Sequence, residues 1–291
     1  MSNMTVENGP DLRNTAYAVV FGSVTALGFP LNAVSLWILL CCHSHKSPST
    51  VFMIHLAISD LLLAFSLPLR VYFHATGTWP FGFMTCIWIT MLFRNNIRSS
   101  SIFITFISVD RLLAVVYPLR SRHLRTSSNA WKAAVLAWVL VFGLNVPESV
   151  EFSRFYSNKS RCFEFEDRFE FEDLPRSRMS CVQPVLVLAM LAVNVVSTVL
   201  VSRTLRRHLN DSARVFNKVN VMLIFAMNLI MFIVFFLPVS LFILFKKPGP
   251  ALTPLVCLAS VNCCLDPLLY YFSFDGFWKR KEDADSSGGR E

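Results

Sequence analysis

Seven apolar stretches of about 20 residues punctuate the chain, and no other feature restricts its fold as severely. They run over Ala16–Cys41, Val51–His74, Met84–Tyr117, Trp131–Val150, Met179–Ser202, Val219–Phe245 and Ala251–Phe272, taken below as spans 1 to 7. In lipid every backbone N–H and C=O must be satisfied within the protein, and a helix does this within one segment. Charge, proline or glycine bounds each run. Composition agrees, with 54% hydrophobic and 16% charged residues against about 25% charge in an average globular domain. A soluble domain of 291 residues cannot hide so much apolar surface. The expected fold is an all-α membrane protein: a seven-helix transmembrane bundle over residues 16–272, preceded by a short segment, 1–15, and followed by an amphipathic helix and tail, 273–291. No apolar signal core precedes span 1, which should act as its own insertion signal.

An odd number of spans puts the two termini on opposite sides, and charge orients them. Segments 42–50, 118–132, 203–218 and 273–291 hold fourteen Lys and Arg against six acids, a net of 14 − 6 = +8. The opposite face holds nine basic and nine acidic residues, net zero. Positive loops stay in the cytoplasm, so the N-terminus should be extracellular in the plasma membrane. The +8 therefore does not imply nucleic acid. Sequons at Asn3 and Asn158 fall on the predicted outside and are candidate glycosylation sites, whereas Asn210 falls inside.

Polar residues inside spans 2, 3, 6 and 7 are costly in lipid and should face a bundle interior. Span 2 reads Leu56-Ala57-Ile58-Ser59-Asp60, span 3 ends Asp110-Arg111-Leu112, and span 4 has Trp138. Span 6 has Phe232 and Phe236-Leu237-Pro238, and span 7 has Asp266-Pro267-Leu268-Leu269-Tyr270. With Asn32 in span 1, this ordered set resembles the rhodopsin-like (class A) G protein-coupled receptors. Phe52-Met53-Ile54, Trp79-Pro80-Phe81-Gly82, Ile107-Ser108-Val109 and Asn262-Cys263-Cys264-Leu265-Asp266 resemble the lysophosphatidic acid and purinergic nucleotide branch of that class.

The resemblance implies roles for these residues. Asn32, Asp60, Ser100, Asn262 and Asp266 would form a polar network able to hold an allosteric sodium ion, no other cofactor or metal being expected; its plain alternative is a network that only fixes helix packing. Asp110 would hold Arg111 until Arg111 turns toward a heterotrimeric G protein. Phe232, Phe236 and Pro238 would let span 6 swing, with Pro267 and Tyr270 as the matching switch in span 7. Cys86 would bridge Cys162 in the second outer loop. Cys181 and Cys257 both fall near the outer face, where spacing alone does not support a second bridge. Some positions depart from the pattern: Lys218 stands where an acidic lock partner is common, and Met190 and Thr198 stand where span 5 usually carries proline and tyrosine.

Arg70 in span 2 and Arg94 and Arg98 in span 3 are the residues most informative about a ligand. Cations within a bundle are rare and usually functional. Arg94 and Arg98, four apart, share a helix face and repel unless an anion or carboxylate lies between them. Lys246 and Lys247 add charge at the top of span 6. Guanidinium forks match phosphate, so the ligand-binding set Arg70, Arg94, Arg98, Lys246 and Lys247 points to an anionic lipid, with acidic loop residues as the rival partners. The repeat Phe163–Asp167 and Phe169–Asp173 alternates Phe with acid and predicts an extracellular β-hairpin. Its negative charge disfavours free nucleotide triphosphates and tilts the reading toward a lysophosphatidic-acid-like lysophospholipid.

Extracellular nucleotides or another small anion remain the alternative ligand class. A weakly signalling, heteromer-forming receptor is the alternative from another class, motivated by the span 5 departures; it adds a receptor oligomer to the expected partners, which otherwise are the G protein, the ligand and membrane lipids. An enzyme is excluded by the lack of a nucleophile elbow, phosphate loop or zinc signature. An amine ligand is disfavoured because Ile89 and Thr90 stand where an outer acid would be needed.

Overall fold

A computed structural model describes residues 12–41, 47–156, 181–207, 215–245 and 251–273. Seven helices there are long and apolar enough to cross a membrane. Span 1 is Leu12–Cys41, span 2 Pro48–Thr76, span 3 Gly82–Val116, span 4 Ser127–Tyr156 and span 5 Val182–Arg207. Span 6 occupies 215–245 and span 7 occupies 252–273. Most helices outrun the apolar stretch that announced them, because backbone hydrogen bonding continues past the hydrocarbon boundary.

The spans with interior polar residues are the central ones. The apolar windows of spans 2, 3, 6 and 7 are 78%, 56%, 39% and 44% buried, against 22% for spans 1, 4 and 5. Outer helices present residues such as Trp37, Val139 and Val196 outward, where lipid rather than water is the solvent. The core joins Phe21, Phe52, Phe93, Phe103, Phe232 and Phe236.

Sequence chemistry sets the interruptions. Span 2 starts with Pro48 at its first position and ends at Gly77, whose φ of 67° suits glycine and whose N–H closes on the Phe73 carbonyl. Span 6 widens into a π-helix over Met231–Phe236 just before Pro238, where the missing proline N–H already weakens the ladder. Span 7 breaks at Val261, between Leu252–Ser260 and Asn262–Ser273. The π-helix does not show as a gap in hydrophobicity. The predicted outer hairpin and the amphipathic segment beyond Ser273 lie outside the described residues.

Candidate functional site

Buried polar centres recur along the bundle among the described residues. The outermost contains Arg70, six residues or about 9 Å before the end of span 2. Its guanidinium is buried and lies over the rings of Phe21 and Phe93, at 5.9 Å and 5.4 Å from their centroids. His74, one turn further out, stacks on Phe21 at 5.6 Å and meets Tyr17 edge-on. Rings therefore form part of the wall around this cation, each attracted to it through its face.

Arg94 and Arg98 are treated differently. Arg98 is wholly buried and ion-paired with Glu148 of span 4, and its other terminal nitrogen donates to Asn145 Oδ1 at 3.1 Å. Arg94 reaches the second Glu148 oxygen at 3.2 Å and keeps a quarter of its side chain exposed. Asn145 in turn donates to Asn95 at 2.5 Å. The anion between the two arginines is thus part of the protein, and it comes from a span, not from a loop. Arg98, expected among the ligand contacts, has one internal partner on each terminal nitrogen. Charge balance inside the spans was the missed signal: Arg70, Arg94, Arg98 and Arg111 are matched in number by Asp60, Asp110, Glu148 and Asp266.

The middle centre brings together the residues expected to hold a cation. Asp60 of span 2 and Asp266 of span 7 are both wholly buried. Asn96, absent from the sequence-based set, donates to Asp60 at 2.9 Å and to Ser100 and Ser59 at 3.3 and 3.2 Å. Asn262 donates to Asp266 at 3.3 Å. Asn32 donates to the Gly28 carbonyl at 2.9 Å and to the Cys263 carbonyl at 2.7 Å. The second bond has a specific cause: Pro267 has no N–H to offer the carbonyl four residues before it, and Asn32 supplies one instead. One oxygen on each of Asn32, Asp60, Asn96, Asn262 and Asp266 stays buried without a hydrogen-bond partner. Two carboxyls and three amide oxygens, all buried, are hard donors of the kind a small cation takes.

At the cytoplasmic end, Asp110 does not hold its neighbour. Arg125, from the turn after span 3, donates to Asp110 at 2.8 and 3.3 Å, and Ser49 of span 2 hydrogen-bonds the same carboxylate. Arg111 has no hydrogen-bond or ion-pair partner among the described residues, and its Nε is buried. The hydrogen bonds of Asp110 thus go to Arg125 and Ser49 and not to Arg111, since adjacent helical positions point apart. Phe232 and Phe236 are wholly buried and meet edge-to-face at 5.5 Å beside Pro238. Tyr270 is buried one turn beyond Pro267. Trp138 donates to His55 at 3.1 Å, tying span 4 to span 2.

Cys86 is disulfide-bonded, and its expected partner Cys162 lies outside the described residues. Cys181 and Cys257 are both free, so they form no second bridge. Lys246, Lys247, Asn3 and Asn158 also lie outside the described residues.

This arrangement, seven spans around a buried carboxylate centre with a charged cytoplasmic end, is that of a membrane receptor. A family model described as the 7 transmembrane receptor (rhodopsin family) matches residues 31–270. The chain belongs to that family, so it is a multi-pass G protein-coupled receptor and not an enzyme. It is similar to Lysophosphatidic acid receptor 6 of Mus musculus, 33% identical over 90% of this chain and 81% of the relative. Lysophosphatidic acid receptor 5 of Bos taurus is 34% identical over 90% of this chain and 76% of its own length. A purinoceptor of Gallus gallus, number 8 of its series, is 30% identical over 96% of this chain and 83% of its own length.

Proposed function

We propose that this receptor sits in the plasma membrane with its N-terminus outside, binds an extracellular anionic lysophospholipid of the lysophosphatidic acid kind, and activates a heterotrimeric G protein through movement of span 6. The observation that carries the ligand reading is Arg70, 6% exposed in the outer part of the bundle and held over two phenyl rings. Ring faces orient a guanidinium, and its fork matches the oxygens of a phosphate. The surrounding Phe and Tyr rings supply an apolar wall of the kind an acyl chain needs. Arg94, partly exposed, is the second candidate contact, with Lys246 and Lys247 as further headgroup contacts. The names of the relatives support the same ligand class.

A nucleotide is the second reading, favoured by the similarity to a purinoceptor. The middle centre would hold sodium through Asp60, Asp266 and the amide oxygens of Asn96 and Asn262; the ion would neutralise buried negative charge that otherwise needs a proton. Heterotrimeric G protein dissociation in cells given lysophospholipid and nucleotide panels tests the ligand, with Arg70→Ala alongside. Responses to phosphate-bearing lysolipids that the variant loses support the reading. An undiminished response in Arg70→Ala, or a response to nucleotides alone, overturns it.

A further inference from the structure

A buried chain of amides and hydroxyls ties span 6 to spans 3 and 5. The Asn228 side-chain nitrogen donates to Ser108 Oγ at 2.5 Å, and Ser108 Oγ donates to Asn194 Oδ1 at 2.5 Å. The Asn194 nitrogen donates to Thr105 Oγ1 and to the Met190 carbonyl, both at 2.8 Å. Thr105 closes the chain on the Ser101 carbonyl at 2.7 Å. Asn228, Ser108 and Asn194 have no exposed surface at all.

The direction of every bond follows from what each group can do. The Met190 carbonyl only accepts, so the Asn194 nitrogen must face it, and the Asn194 oxygen must face Ser108. Ser108 then spends its hydrogen on Asn194 and can only accept from Asn228. The chain thus ends at span 6 on a single N–H donor. Asn228 Oδ1 is buried without a partner, so the amide at that end is half satisfied, which weakens the tie there relative to a fully satisfied network.

Position gives the chain its meaning. Ser108 lies three residues before Arg111, and Asn228 lies four residues, one helical turn, before Phe232 and the π-helix of span 6. Asn194 lies midway between Met190 and Thr198, the span 5 positions that depart from the resembled pattern. Asp110 is meanwhile occupied by Arg125 and Ser49, and no described bond joins Arg111 to span 6.

We propose that Asn228, Ser108 and Asn194 are positioning residues for activation, holding span 6 against spans 3 and 5 and setting the receptor's ligand-independent activity. Outward movement of span 6 breaks one bond, Asn228 to Ser108. The remaining Ser108–Asn194–Thr105 run lies within spans 3 and 5 and survives. The tie therefore yields at its half-satisfied end and can re-form when span 6 returns.

The test needs no ligand, so failure of the lipid reading leaves it intact. Asn228→Leu keeps the volume and removes the tie; it is expected to raise basal G protein dissociation several-fold at equal surface expression. Thr105→Val should stay near the wild-type basal level, because Asn194 keeps its Met190 bond. Spin labels at the cytoplasmic ends of spans 3 and 6 of the purified receptor should report a longer distance in Asn228→Leu, which decides the matter even if no G protein responds. If Asn228→Leu does not reach the membrane, Ser108→Ala removes both central bonds with the loss of one atom and takes its place in both assays. Unchanged basal signalling together with an unchanged label distance overturns the proposal.

Discussion

Arg70 and Arg98 are both arginines sunk into the bundle, yet their surroundings differ in kind. Arg98 meets a carboxylate and an amide, with Asn145 and Glu148 using its two terminal nitrogens. Arg70 meets the faces of Phe21 and Phe93. A carboxylate pairs with the charge and fixes its geometry; a ring face fixes geometry by a weaker attraction. The first setting makes an arginine part of the scaffold. The second leaves it competent to recognise an anion. Burial alone does not separate the two roles, since Arg98 is 0% exposed and Arg70 only 6%.

The contrast is easiest to break at Glu148. Glu148→Ala strands the buried Arg98 guanidinium and should cost about 3–5 kcal/mol, read as lost surface expression and a lower thermal midpoint of the purified receptor. Replacing Arg98 by Met and Glu148 by Leu together should recover most of that loss, because Arg94 is partly exposed and reaches water. A double variant as damaged as the single one would deny that Arg98 and Glu148 act as a pair.

Next in size is Arg70. Arg70→Ala should reach the surface but need roughly 10- to 100-fold more phosphate-bearing lysolipid for half-maximal signalling, the equivalent of one or two charge-assisted hydrogen bonds. Arg70→Lys should fall between, having charge without the fork. A collapse of expression in both would move Arg70 into the scaffold class with Arg98.

Asp60→Asn probes the middle centre. If a cation opposes activation there, lysolipid potency in the wild type falls as sodium replaces a bulky organic cation, by about fivefold, the lower end of typical site-to-site coupling. The variant should give the same potency in both buffers. Equal potency in both buffers for the wild type would reduce the cluster to a packing network.

The smallest effect is expected at Arg125, whose side chain is 27% exposed beside Asp110. Arg125→Ala should lower stability by about 1 kcal/mol or less, measured by thermal unfolding. A loss as large as that of Glu148→Ala would show that the cytoplasmic pair is as structural as the outer one.

Which features could be read from the sequence follows from the range of the signal. Span number and the interior faces of spans 2, 3, 6 and 7 rest on local hydropathy, whereas the grouping of Asp60 with Asp266 comes only through the family resemblance. The partners of Arg98 and Asp110 depend on how helices are rotated against one another, which no single run records. Glu148 reads as a stray acid near the end of an apolar stretch until span 4 is docked on span 3. Asn194 and Asn228 are each an unremarked amide 34 residues apart, and only the packing of spans 5 and 6 around Ser108 gives them a shared meaning. The break at Met231–Phe236 stays apolar throughout, so hydropathy passes over it.

The bond from Asn32 to the Cys263 carbonyl makes an outer helix of the bundle a gauge for its buried centre. Span 1 can come this close because Gly28 has no side chain; a methyl group there would sit 2.8 Å from the Cys263 sulfur and 3.5 Å from that of Cys264. Asn262 and Asp266 lie on the same short helix as those cysteines. Bulk added at Gly28 would act as a shim, levering that helix away from span 1 and changing the gap between Asp266 and Asp60 without touching either carboxylate.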